Sequence, residues 1–114
     1  MRSPPPDPVA VTHGDLHFRH LLVDQNASLV GVIDWGDVCR ADPSIDLPLI
    51  WSFLPPEGRD AFLAAYGPVT MEQLLRARVL ALFLCAALAA YADYQGMDNV
   101  KREAIAGLAR ASAD

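Results

Sequence analysis

Two short apolar runs, "HLLVD" at 20–24 and "SLVGVID" at 28–34, are separated by only "QNA". Runs this short, rich in Val, Leu and Ile and joined by a polar turn, read as a β-hairpin. A third β-prone run, "VAVT", occupies 9–12. Beyond the hairpin the pattern turns helical. "GDVCRADP", 36–43, is loop-like, with Asp42 set to cap a helix and Pro43 at its first position. That helix is expected through "SIDLPLIWSFL", strained early by Pro48 and stopped by Pro55-Pro56. A short helix over 57–67 closes at Gly67. A long one starts at Thr70, where Gln73 completes a capping box, and ends at Gly96. Its expected core stripe is Met71, Leu75, Leu82, Ala86 and Ala89, and the leucine-rich positions after residue 71 read as core. From Val79 to Ala92 it is apolar on nearly every side. That run of fourteen residues is shorter than the roughly twenty needed to cross a bilayer. A buried core helix is therefore expected. A last amphipathic helix is expected over 99–111.

Strands first and helices after predict an α+β fold, a small hairpin attached to a helical bundle. The chain of 114 residues suits one domain, 9–114. It is preceded by a proline-rich lead-in, 1–8, that can form neither a helix nor a central strand. A net charge of −5 argues against nucleic acid and against an anionic membrane surface as partners. Cys39 and Cys85 form no CxxC pair, which makes a reduced, cytoplasmic protein the expectation.

The chemistry concentrates in "HGDLHFRH", 13–20, which holds all 3 histidines and Asp15. A hairpin brings its ends together, so Asp34, closing the second strand in "VIDWGD", can approach the loop that carries Asp15. Two converging carboxylates suit a divalent cation or general acid–base work. Asp37 reads as a second polar residue of the turn, and Trp35 and Trp51 as core or interface residues. A zinc site of His13, His17 and His20 has a spacing that matches none of the strong zinc motifs.

"HGDLHFRH", then "LLVD", "GVIDWGD" and "DPSIDL", resembles the aminoglycoside phosphotransferase and choline kinase-like family, relatives of the protein kinases. The close match runs over residues 11–54. The resemblance implies a protein-kinase-like C-terminal lobe, with the nucleotide-covering N-terminal lobe absent from this chain. It implies ATP-dependent transfer of a phosphoryl group to a small hydroxyl-bearing substrate, with Mg²⁺ and ATP as cofactors. Asp15 then looks like the catalytic aspartate and Asp34 like the metal-binding one. His13 and Gly14 look like loop-shaping residues, and Asp46 like the structural aspartate beneath the loop. His20 departs from the family, which has Asn there for a second metal. Imidazole offers nitrogen, which Mg²⁺ accepts poorly, so Mn²⁺ joins the expected metals. The alternative is an inactive kinase-like module that self-associates through surface a missing N-terminal lobe would leave.

Overall fold

The computed structural model describes residues 9–113, so the proline-rich lead-in lies outside the described residues. Four strands precede four α-helices: β1 (Ala10–Thr12), β2 (Leu21–Val23), β3 (Leu29–Val32), β4 (Cys39–Ala41), α1 (Pro48–Ser52), α2 (Pro56–Tyr66), α3 (Met71–Gln95) and α4 (Asp98–Ser112). The fold is α+β, with two small antiparallel sheets on a helical bundle.

β2 and β3 form the expected hairpin, with Leu21 opposite Val32 and Leu22 opposite Gly31. Its turn is built by Asp24, whose Oδ1 accepts from the backbone N–H groups of Asn26 (2.8 Å) and Ser28 (3.0 Å). Such a side chain substitutes for the missing ladder partner. The second sheet pairs β1 with β4, Ala10 opposite Ala41 and Thr12 opposite Cys39. β4 corrects the reading of 36–43 as loop throughout. Three residues are too few to show a period, and the strand exists because β1 offers it an edge. The Thr12 hydroxyl reinforces the ladder by donating to the Cys39 carbonyl at 3.0 Å.

The helix expected from Asp42 to Leu54 is broken in two. Asp42 does cap, accepting from the Ser44 N–H at 2.8 Å, but it opens a 3-10 turn over Pro43–Asp46. α1 begins afresh at Pro48, because proline has no N–H to continue a helix and is well placed to start one. Pro56 likewise opens α2, so the Pro55-Pro56 pair is a start as well as a stop.

α3 has the expected capping box. The Thr70 hydroxyl accepts from Gln73 N–H at 3.0 Å, and the Gln73 side chain accepts from Thr70 N–H at 2.9 Å. Gly96, at φ 69°, ends it in the left-handed conformation.

The buried face of α3 differs from the expected one. Gln73, Ala77, Ala81, Cys85 and Ala92 are buried, whereas Met71, Leu75, Val79 and Phe83 are exposed. The facing stripe of α4 is Ala104, Gly107 and Ala111. Apart from Gln73, both stripes are made of small residues, so the two backbones approach closely. A methyl group at Gly107 would lie 2.8 Å from Cys85 Sγ and 3.2 Å from the Ser52 carbonyl oxygen. The larger side chains are turned outward by that approach. α3 is therefore not a helix buried all round: only 17% of its most apolar stretch is buried. It is long and apolar enough, by length and composition, to cross a membrane.

The core sits where α1 meets α3. Leu47, Ile50 and Ala77 are buried there, with Trp51, Phe62, Leu63 and Val69 packed against them. Trp51 donates its indole N–H to the Leu74 carbonyl at 3.0 Å, and the guanidinium groups of Arg59 and Arg78 each lie over its ring, 4.9 Å from the centroid. Those two arginines, with Arg110, also satisfy helix ends. Arg59 donates to Ile50 and Arg110 carbonyls, Arg78 to Ala111, and Arg110 to Ser52 at 2.7 Å. Last-turn carbonyls have no partner within their own helix, so these side chains tie the C-terminal ends of α1 and α4 to the bundle.

Candidate active site

The loop between β1 and β2 is fixed from below by Asp46, at the end of the 3-10 turn. Its Oδ2 accepts from the His13 N–H at 2.6 Å and its Oδ1 from the Gly14 N–H at 3.1 Å. One carboxylate thus holds two successive backbone donors, and bonds to a charged acceptor are the stronger kind. Gly14 has φ 93°, and a methyl group there would sit 2.3 Å from the Asp37 carbonyl oxygen. The close pass of 36–38 over the loop requires glycine at this position.

His13 is buried, and both its ring nitrogens are used. Nδ1 accepts from the Asp15 N–H at 3.1 Å, so Nε2 carries the proton and donates to the Ile33 carbonyl at 2.8 Å. It therefore links the loop to the end of the hairpin and has no lone pair left for a metal. That excludes it from a three-histidine zinc cage.

Asp15 and Asp34 are brought together through His20. The hairpin closes with Ile33 N–H donating to the His20 carbonyl at 2.9 Å, which places residue 34 beside the loop. His20 Nδ1 lies 2.8 Å from the Asp15 carbonyl oxygen and 3.9 Å from its carboxylate, and Nε2 lies 2.9 Å from Asp34 Oδ2. The imidazole side chain is only 13% exposed, while the Asp15 and Asp34 side chains are 45% and 66% exposed. Both carboxylates thus open to solvent across a mostly covered ring. Asp34 has φ 62°, a left-handed conformation uncommon outside glycine and seen at sites that must aim a side chain.

His17 completes the cluster. Its Nε2 is 3.7 Å from Asp15 Oδ1, and its ring centroid is 3.9 Å from that of His20. Burial, then the neighbouring His20, lowers its pKa against the opposing pull of Asp15, which favours the neutral ring. Its Nδ1 is buried without a hydrogen-bond partner among the described residues. Ligand atoms of Asp15, His17 and His20 lie within 4.8 Å of one another.

The structure therefore gathers His13, Gly14, Asp15, His20, Asp34 and Asp46 into one assembly. Asp37 contributes its main chain to it. Trp35 is exposed, its N–H donating to Val32 O at 2.8 Å and its ring 4.6 Å from that of His13. Sequence reasoning missed two contributors, the Ile33 carbonyl and the positive φ of Asp34. Neither has a residue-type signature. An open apolar cleft adjoins the loop, lined by Leu16, Leu21, Leu29, Val32, Phe53 and Phe62.

Comparison with known proteins places the chain in a family. The model of the phosphotransferase enzyme family matches residues 1–82, which takes in the loop, the hairpin and the 3-10 turn. The chain belongs to that family. It is also 45% identical over 40 residues to the Bacillus subtilis (strain 168) protein YcbJ. That match covers 35% of this chain and 13% of the relative, so the chain spans a small part of the relative's length.

Proposed function

We propose that the chain is the catalytic lobe of an ATP-dependent small-molecule phosphotransferase, with a kinase-like C-terminal-lobe architecture over residues 9–114. The observation that carries this reading is the pairing of Asp15 and Asp34 across His20, on a loop held by Asp46, within a chain of the phosphotransferase family. Asp15 accepts the proton of the substrate hydroxyl as its oxygen attacks the terminal phosphorus of ATP, and ADP leaves. Asp34, with exposed oxygens, is the residue to hold Mg²⁺; the ion would offset phosphate charge. His13, Gly14 and Asp46 position Asp15 without touching substrate. The chain's charge of −5 favours a cationic acceptor such as an aminoglycoside.

ADP release should be assayed across hydroxyl-bearing acceptors with Mg²⁺ and with Mn²⁺, on this chain and on any longer form of the protein. Turnover should fall about 10²–10⁴-fold in Asp15→Asn, the usual worth of a positioned base. Failure of the parent protein to turn over any acceptor with either metal would sink the reading.

A second reading has its own support. Val11, Val30, Trp35 and Val38 are exposed on the strand side, and Val79 and Phe83 on α3. Apolar surface of this kind favours association, and a kinase-like module acting by self-association would use it. Light scattering decides: a dimer or larger species supports it, and a monodisperse monomer removes it.

A further inference from the structure

His20 has its two ring nitrogens set differently. Nδ1 lies 2.8 Å from the Asp15 carbonyl, a group that only accepts, so Nδ1 carries a proton. In the neutral ring Nε2 is then a lone pair, and it stands 2.9 Å from Asp34 Oδ2, another acceptor. Either a proton, making an ion pair, or a metal ion bound by both can sit between the two atoms. A histidine that gives one N–H to a backbone carbonyl while its other nitrogen faces a carboxylate is oriented as metal-ligating histidines are. The spacing also fits. Nitrogen and oxygen ligands about 2.0–2.1 Å from a tetrahedral zinc lie about 3.3–3.4 Å apart, so the pair needs to open by only a few tenths of an ångström.

We propose that His20 Nε2 and the Asp34 carboxylate together bind a nitrogen-accepting transition ion, Mn²⁺ or Zn²⁺, in preference to Mg²⁺. This deepens the phosphotransfer reading and rests on it only for placing the metal at Asp34. The competing placement, on Asp15, His17 and His20, is less prepared. Its Asp15–histidine separations are 3.7 and 3.9 Å, and it would engage the Nδ1 already committed to the Asp15 carbonyl or turn the ring from Asp34. His13 takes no part, because both its nitrogens are occupied.

Titration calorimetry on the metal-stripped 114-residue chain, without nucleotide, tests the preference with Mg²⁺, Mn²⁺ and Zn²⁺ as probes. Mn²⁺ and Zn²⁺ should each bind at least about tenfold more tightly than Mg²⁺. His20→Asn, which substitutes an oxygen donor, should remove most of that preference, Asp34→Asn should weaken all three ions, and His17→Gln should leave the preference intact. A preference untouched by His20→Asn, or lost in His17→Gln, overturns the proposal. So does an absence of binding in the parent. A readout that needs no variant is pulsed electron paramagnetic resonance of the Mn²⁺-loaded parent: coupling from a directly bound nitrogen is expected, and its absence overturns the proposal. The two readings fail separately. Nitrogen coupling without phosphoryl transfer sinks the enzyme and keeps the site, whereas Mg²⁺-driven turnover without nitrogen coupling does the reverse.

Discussion

The loop at 13–20 and helix α3 are opposites. The loop is polar and nearly without regular structure, yet His13, Gly14, Asp15 and His20 are each fixed by hydrogen bonds to defined partners. α3 is the longest and most apolar element, yet most of its large side chains face outward and its buried stripe is largely alanine. Uniqueness in this molecule thus comes from directional bonds in one region and from small side chains that permit close approach in the other. Apolar content by itself specifies neither.

The strongest way to break the comparison is to strain the loop. Gly14→Ala combines a positive φ with a 2.3 Å approach to a backbone oxygen, so a loss of about 3–5 kcal/mol is expected in urea unfolding. Asp46→Ala leaves two backbone donors without their carboxylate and should cost about 2–4 kcal/mol by the same measurement. On the helix the sensitive positions should be the small ones. Ala81→Leu overfills the α3 interface and should cost about 1–3 kcal/mol.

A smaller effect is tied to pH. The Ser44 hydroxyl and N–H, with Arg76 adding to them, hold the Asp42 carboxyl below its ordinary range. Its folded pKa is below the unfolded one. The stabilisation is therefore complete above the ordinary carboxylate range and is lost as the pH falls through it towards the depressed value. Asp42→Asn should flatten that acid limb in melting temperatures taken from neutral pH downward. Smallest of all should be Val79→Gln, on the outward face of α3, within about 0.5 kcal/mol of the parent. A large loss there would mean that the exposed face is covered in solution.

The same contrast explains what could be read in advance. The hairpin, the capping box at Thr70 and the ends of α3 are local, set by residues within a few positions of one another, and all were legible. So was the approach of Asp34 to the loop that carries Asp15, because a hairpin fixes where its ends go. The break at Pro48 was half legible: the proline was visible, but its conversion from strain to a helix start depends on the 3-10 turn before it. β4 was hidden because its partner is distant in sequence. The buried face of α3 was misread because nearly every face is apolar, so periodicity could not choose. Gly107 on α4 and the position of α1 made the choice, and neither is encoded in α3 itself.

Cys39 and Cys85 divide along this same line. Cys39 is exposed on β4, its sulfur 3.5 Å from the Thr12 hydroxyl just ahead of the histidine-rich loop. Cys85 is buried between α3 and α4, and burial pushes its thiol pKa up, which slows its chemistry further. The protein therefore carries two chemical clocks. An alkylating reagent meets Cys39 in the native state and Cys85 only when the helix pair opens, so the two modification rates time separate events: access at the edge of the loop, and separation of the bundle.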